Sequence, residues 1–586
     1  MSIYAAITIG LLLGKIALML DRRIPSDLIG LGIIAILLLT GALSTTEALS
    51  CFSNESVVLV GALSIVVAGL IYSGAVNWFS EKLFSKSLTF RQLLRRMLIP
   101  VATLSVFIIS EAVVAIFTHI TRIVGRRIKV EPSRVLLPLS CAAALGSMCS
   151  LLGSPANLVI ANFYRQTTGE AMAIFEPFLP GLICTVVGII SISLLRQFLP
   201  VRKSPEDSFA DSADYTVELQ VPTDSPAVGT TVAESGLDNV HGGHLIEIVR
   251  FDREVISPVP SDEFLLGGDH LVYSGQINAI LNLRKTHGLV NATHHVFSIE
   301  EMEGKNRQLQ VATVNPDSTL VGRKMSETHF EDHNGVVLVA IAREGHRLQE
   351  IPREVSLRAG DTLLLEGTKL LPEHFRNTLT FFDSEQLPTH NPTKSILSSL
   401  ILMALVLLSM FNVMPLLHST ILAAMLMVIC RCCNLQQAQN AINWKLLMVF
   451  AGSVCLGKAL DATGVAGLIG QGVSYLCGKS SMGALILILS MTTIVTQFLG
   501  NPLVAAIFTP IALSTATMLG ANPMTFCIGV LIAANTAFCT PISSNGNVLI
   551  YGPGGYRFSD FYRVGVPLAF IVLVTNILVV NLFYPL

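Results

Sequence analysis

The sequence predicts a polytopic α-helical membrane protein made of two inverted repeats with a soluble α+β insert between them, and three observations carry that prediction. Of 586 residues, 52% are hydrophobic and 13% charged, far too apolar a balance for a water-soluble chain and too long a chain for one span. Two uncharged stretches are broken in the same chemical style, at Leu145–Asn157 and Asn535–Asn547. Between them, residues 200–392 turn charged, with short alternating apolar runs and turns.

The first break gathers Gly146, Ser147, Ser150, Gly153, Ser154, Pro155 and Asn157 in a stretch otherwise able to cross a bilayer; the second gathers Thr540, Pro541, Ser543, Ser544, Asn545, Gly546 and Asn547. A backbone amide or carbonyl left unpaired in lipid costs roughly several kcal/mol, so a break survives only where protein or a water-filled cavity receives those groups. One break alone reads as a proline kink. Two, in corresponding positions of two halves, point to a transporter site at the membrane midplane.

Taken in order, Ile3–Leu20 lacks a basic leader and a small-residue cleavage site and is expected to be a retained helix. Further uncharged stretches follow at Leu28–Thr46, Ser56–Ser80, Pro177–Leu195, Ser395–Cys430 (two helices turning at Asn412–Pro415), Ser480–Tyr556 and Val564–Leu586. Basic residues orient them: Lys82, Lys86, Arg91, Arg95 and Arg96 on one side of Met97–Thr121, and Arg122, Arg126, Arg127, Lys129 and Arg134 on the other, all expected in the cytoplasm. Met97–Thr121 is too short for two crossings and is expected to enter and return as a re-entrant hairpin with Ser110 at its apex. A second candidate hairpin, near Ile486–Leu519, would mirror it from outside with Asn501 at its apex. Ser110 to Asn157 is 47 positions and Asn501 to Asn547 is 46, so apex and break recur at nearly one spacing.

The insert also repeats itself. Leu266-Gly267-Gly268-Asp269-His270-Leu271-Val272 matches Arg358-Ala359-Gly360-Asp361-Thr362-Leu363-Leu364, and Val228-Gly229 matches Val321-Gly322. Gly-Asp before a strand is a hairpin signal, because both residues tolerate a left-handed turn. These copies resemble two tandem TrkA C-terminal domains, over roughly Tyr215–Phe375. The resemblance implies a cytosolic dimerising or ligand-sensing unit, with a nucleotide as one ligand class; a passive dimerisation cap is the alternative. The expected organisation is a first membrane half at 1–199, TrkA C-terminal domains at 200–300 and 301–392, and a second membrane half at 393–586. The insert's histidines show no metal-ligand framework, and the 11 cysteines, mostly within apolar spans, no disulfide framework.

Ala48–Val57, Pro138–Gly146, Gly153-Ser154-Pro155-Ala156-Asn157 and above all Asn547–Phe558 are similar to signatures of the divalent-anion/sodium symporter family of the ion-transporter superfamily. The resemblance implies two inverted repeats, each with a re-entrant hairpin and a broken helix, in a homodimer of the cell inner (plasma) membrane. That family carries a Ser-Asn-Thr-like triplet at each apex, whereas this chain has Ile109-Ser110-Glu111 and Gly500-Asn501-Pro502.

Half-helix N-termini present partial positive charge to an anion, while hydroxyls, amide oxygens and freed carbonyls can ligate sodium. No Lys or Arg occurs from Ser480 to Tyr556, so no fixed cation is needed. The expected substrate- and ion-binding residues are Ser110, Glu111, Gly153, Ser154, Pro155, Asn157, Asn501, Thr540, Pro541, Ser543, Asn545 and Asn547, with sodium at Ser110, Asn157, Asn501 and Asn547. Glu111, the sole carboxylate between Arg96 and Arg122, is the candidate for proton or cation coupling. The expected function is secondary active transport of a small anion, sulfate or a di- or tricarboxylate, coupled to sodium or protons. The alternative is a cation transporter or antiporter, which Glu111 would suit. No potassium-channel filter, P-loop, metalloprotease motif or nucleophile elbow is found, so neither a channel nor an enzyme is expected, and no basic run suggests nucleic acid.

Overall fold

The computed structural model describes residues 4–11, 14, 26–75, 90–127, 130–202, 214–237, 243–250, 254–256, 259–276, 289–291, 308–314, 318, 320–324, 336–343, 346–348, 355–358, 360–367, 379–381, 392–411, 413–478 and 480–586. It divides into two compact units. One comprises residues 1–201, 387–550 and 557–586; the other comprises residues 202–386 together with Tyr551–Tyr556.

The first unit is helical. Its first half holds α1 (Ser26–Leu39), α2 (Thr45–Phe52), α3 (Glu55–Tyr72), α4 (Phe90–Phe107), α5 (Ser110–Arg127), α6 (Ser133–Gly146), a 3-10 turn at Ser147–Cys149, α7 (Pro155–Thr168) and α8 (Phe178–Leu194). The second holds α9 (Pro392–Met410), α10 (Leu416–Ile429), α11 (Leu435–Ala441), α12 (Trp444–Ala462), α13 (Val465–Leu476), α14 (Ser481–Val495), α15 (Asn501–Leu519), α16 (Pro523–Ala534), α17 (Asn545–Tyr551) and α18 (Phe558–Phe583). Among the described residues, five helices are long and apolar enough to cross a membrane, six if the bent pair α12–α13 counts as one span.

α4 and α5 form a hairpin whose apex is Ile108–Ile109, but its arms are longer than Met97–Thr121. Arg91, Arg95 and Arg96 belong to α4, and Arg122, Arg126 and Arg127 to α5, so the charges that marked loops in the sequence ride on helix ends. Each arm has 18 residues, or about 27 Å of helix. Glycine lets the hairpin lie against the first break. A Cβ at Gly146 would collide with the carbonyl of Ala102 in α4, and in the second half a Cβ at Gly565 of α18 would collide with the carbonyl of Phe538.

The second unit contains two five-stranded antiparallel sheets. Its strands are β1 (Asp214–Gln220), β2 (Gly243–Arg250), β3 (Glu254–Ile256), β4 (His270–Gln276), β5 (Val290–Asn291), β6 (Gln308–Val314), β7 (Val336–Arg343), β8 (His346–Arg347), β9 (Thr362–Gly367) and β10 (Leu379–Phe381). Their orders, β3-β2-β4-β1-β5 and β8-β7-β9-β6-β10, match strand for strand. Each sheet has its own core, around Leu219, Ile248, Leu271 and Tyr273 in the first and Val314, Ile341, Leu363 and Leu365 in the second.

The Gly-Asp turns recur atom for atom. Gly268 and Gly360 take φ +95° and +88°, the left-handed region that glycine enters without steric cost. In each turn the glycine N–H reaches the carbonyl of the strand-ending valine, Val221 at 2.7 Å and Val314 at 2.9 Å. Asp269 then accepts a bidentate pair from Arg250, both contacts at 3.1 Å, and Asp361 accepts the same pair from Arg343 at 2.8 and 2.7 Å. The Leu266 and Arg358 amides close the same two carboxylates at 2.9 and 2.7 Å. Asp361→Ala would strip Arg343 and the Arg358 amide of their acceptor, at about 2 kcal/mol or more. Hydrogen exchange should accelerate at Val314 and Gly360 while that of α6 and α7 stays unchanged.

Candidate functional site

Both breaks are held by one bonding pattern. Asn157 is the third residue of α7, and its carboxamide donates back across the break to the carbonyls of Ser147 (2.8 Å) and Ser150 (2.7 Å), ten and seven residues earlier. Asn547 is the third residue of α17 and donates to Ala537 and Thr540, both at 2.9 Å and again ten and seven residues earlier. Both side chains are buried. The carbonyls they receive are among those a broken helix leaves without partners.

Each break is also pinned to its hairpin. The Ser150 hydroxyl donates to the carbonyl of Val106, four residues before Ser110, and the Thr540 hydroxyl to that of Gln497, four residues before Asn501. At the first apex the Ser110 amide adds a bond to the Gly153 carbonyl at 3.1 Å. At the second, the Gln497 side chain receives the Phe538 and Cys539 amides (3.1 and 2.9 Å) and donates to Thr493 and Thr536 (2.7 and 2.8 Å).

At the breaks and the first apex, three hydrogen bonds join the halves. Asn535 donates to Asn157 Oδ1 at 2.7 Å, Ser140 donates to Asn547 Oδ1 at 2.7 Å, and Asn545 donates to Glu111 Oε1 at 3.0 Å. The Asn157 and Asn547 carboxamides thus both give and accept within the fold. They stand behind the lining rather than in it.

A cleft opens among these elements. Of the twelve residues singled out from sequence, it is lined by Ser110, Glu111, Ser154, Pro155, Asn501, Ser543 and Asn545; Gly153, Asn157, Thr540, Pro541 and Asn547 are not in its wall. The structure adds Ser140, Ser147, Ser544, Gly546 and Gly500. Sequence reasoning missed Ser140 and Gln497, because both lie on regular helical patterns or beside an apex, where a lone polar residue gives no distinguishing signal. The identical ten-and-seven spacing was readable in principle, as Asn at the third position of each returning half-helix.

The lining is uncharged apart from Glu111. Helices α5, α7 and α15 all begin at the cleft, at Ser110, Pro155 and Asn501. Each start carries the equivalent of roughly half a positive charge. Ser154 caps α7 through the Ala156 amide (3.4 Å), whereas α15 starts after Gly500 with no side-chain cap. The arrangement offers an anion amides and hydroxyls, and offers a cation one carboxylate and several neutral oxygens.

Spans, broken helices and a polar cleft among them define a membrane transporter rather than an enzyme. The chain belongs to the CitMHS family, described as citrate transporter, whose profile matches residues 16–502. It is 28% identical to the uncharacterized transporter sll0640 of Synechocystis over 99% of this chain and 97% of that one. It is likewise 28% identical to the uncharacterized transporter YfbS of Escherichia coli, over 98% of each. Sodium/sulfate cotransporter 2 of Chlamydomonas reinhardtii is 26% identical over 60% of this chain and 41% of its own length.

Asn157→Asp and Asn547→Asp would each set a carboxylate against two buried carbonyls that lose their donor, at roughly 1–3 kcal/mol per carbonyl. Each variant should melt at lower temperature in detergent than the parent, and Asn545→Asp, in the open lining, should lose less.

Proposed function

We propose that the chain is a secondary active transporter of a small oxyanion, of the sulfate or di- and tricarboxylate class, working by alternating access. The observation that supports this is the cleft itself: three helix N-termini and two breaks converge on hydroxyl and amide groups with no Lys or Arg among them. An anion bound there gives up water for preorganised N–H and O–H donors. Such a site discriminates by shape and hydrogen bonding more than by charge. The names of the sulfate-transporting relative and of the family fit the same substrate class.

Glu111 is the proposed coupling group. Protonated, it is neutral beside an anion and can donate to it; ionised, it repels the anion unless a cation accompanies it. Sodium would find oxygens at Ser110, Glu111 and Asn501, and the breaks that Asn157 and Asn547 hold would present further carbonyls. The recurrence of apex, break and clasp supports two inverted repeats. The insert is proposed as a cytoplasmic regulatory unit of TrkA C-terminal type with a small ligand such as a nucleotide, and the working form as a homodimer in the inner (plasma) membrane. Glu111 also favours a second reading, a cation transporter or antiporter.

Purified protein in liposomes should accumulate labelled sulfate or citrate under an inward sodium or proton gradient. Uptake of rubidium alone would select the cation reading. Glu111→Gln, which preserves the shape that Asn545 bonds, should still exchange substrate at equilibrium but no longer concentrate it. Undiminished gradient-driven uptake by that variant, with an unchanged pH profile, would reduce Glu111 to a structural role. For topology, single cysteines replacing Thr223 and Asn522 should react with an impermeant thiol reagent from opposite sides.

A further inference from the structure

We propose that the outward face of α4 binds an anionic phospholipid, with Arg95 and Arg96 on its phosphate and Ile99 beside its acyl chains. α4 packs chiefly on α5, α6 and α8 and turns the rest of its surface outward. Gln92, Arg95, Arg96, Ile99 and Thr103 are exposed there, the last four standing three, four, seven and eleven residues after the first, which is one stripe of a helix. Neither the Arg95 nor the Arg96 side chain forms a hydrogen bond, ion pair or ring contact among the described residues. Ile99 is 60% exposed, and the Thr103 hydroxyl is spent on the Ile99 carbonyl at 2.9 Å, so the stripe turns from cationic to apolar along the helix.

Charge and depth both suit such an amphiphile. Thr121 of α5 meets Met97 at 3.6 Å, and Arg134 at the start of α6 stacks on Phe90 at 4.4 Å, so the arginine-bearing helix ends lie together, away from the Ile108–Ile109 apex. Residues 90–134 carry seven arginines and one lysine, while the acidic residues there are Glu111, at the apex, and Glu131. Arg96 stands 12 residues before Ile108, about 18 Å of helix, and Ile99 stands 9 before it, about 14 Å. Half the hydrocarbon core of a bilayer is about 15 Å. With the apex at the midplane, a step that rests on the proposed hairpin topology, the two guanidinium groups reach the phosphates while Ile99 and Thr103 lie among the chains. Pro100 has no N–H to give the Arg96 carbonyl, so the same turn leaves an acceptor for a headgroup hydroxyl.

The other hairpin does without this face. Counted from Ser110 and Asn501, Arg95 and Arg96 correspond to Ile486 and Leu487 of α14, and the large side chains exposed on that arm are Ile486, Met491 and Ile494. Orienting a hairpin needs basic residues on one side of the membrane, which Arg122, Arg126 and Arg127 already supply. It does not need two unpaired guanidinium groups side by side above an apolar step. Each guanidinium offers a planar fork of donors that a phosphate can accept as a pair. A free oxyanion would be served by the charges alone; the apolar continuation selects a ligand with chains.

Binding is read without any transported substrate, so its outcome is separate from that of the uptake assays. The full-length protein in maltoside micelles is titrated with dioleoyl phosphatidylglycerol or dioleoyl phosphatidylcholine, and bound lipid is counted by native mass spectrometry. Phosphatidylglycerol should bind more tightly. Arg95→Gln combined with Arg96→Gln should weaken it by about thirtyfold, from roughly fivefold for each arginine beside an anionic surface, and leave phosphatidylcholine unchanged. Arg196→Gln combined with Arg563→Gln, which removes the same charge beside α8 and in α18, should leave both lipids unchanged. Ile99→Glu sets an acid next to the phosphate with both arginines intact and should also weaken phosphatidylglycerol; it carries the test should the double variant fail to fold. Equal binding of the two lipids, undiminished phosphatidylglycerol binding by the Arg95/Arg96 variant or by Ile99→Glu, or an equal loss in the Arg196/Arg563 variant would overturn the proposal. So would displacement of the lipid by an equal concentration of its deacylated headgroup or of inorganic phosphate, which would mark a site for free anions.

Discussion

The architecture depends on one constraint: a helix broken inside a membrane exposes carbonyls and amides that no water reaches, and the protein must bind them itself. Asn157 and Asn547 meet it in the same way, each returning both carboxamide hydrogens to carbonyls ten and seven residues back. Each unsatisfied buried carbonyl would cost roughly 1–3 kcal/mol, so the two side chains decide whether the breaks can exist. With those carbonyls satisfied, the following half-helices can start with their amides facing a cleft. Gln497 and the hydroxyls of Ser150 and Thr540 then fix each break to a hairpin.

Such an arrangement would let a nearly neutral cleft attract an anion, as proposed. A lysine or arginine would hold an oxyanion tightly and release it slowly. Helix starts spread a fractional charge over several donors and demand no counter-ion when the site is empty. Glu111 is the exception in that wall, and its hydrogen bond from Asn545 ties it to the opposite half of the chain. A change in its charge would therefore act on an anion bound in the proposed site and on one of the three bonds that join the halves there.

Much of this was legible in the sequence because breaks in apolar runs are loud signals: Gly, Pro, Ser and Asn have no other reason to cluster at Gly146–Asn157 and Thr540–Asn547. The spacing from apex to break was legible too. Sequence could not tell a lining residue from the clasp behind it, since Asn157 and Asn545 look alike until their partners are known. Nor could it show that arginines flanking the first hairpin sit on its helices, because a charge at a helix end and a charge in a loop read the same. Ser140 was hidden for a related reason: one turn of helix decides whether a serine meets lipid or the Asn547 carboxamide. In the insert, by contrast, the doubled Gly-Asp motif marked turns that the structure builds with the same four bonds each.

The central claim is that the anion sits at the converging starts of α5, α7 and α15. Its most direct test is an anomalous-scattering map of crystals grown with selenate in place of sulfate. The account predicts a selenium peak inside the cleft, within hydrogen-bonding distance of the first-turn amides or of Ser110, Ser154 or Asn501. A peak on an arginine or lysine elsewhere, with this cleft empty at saturating selenate, would contradict it.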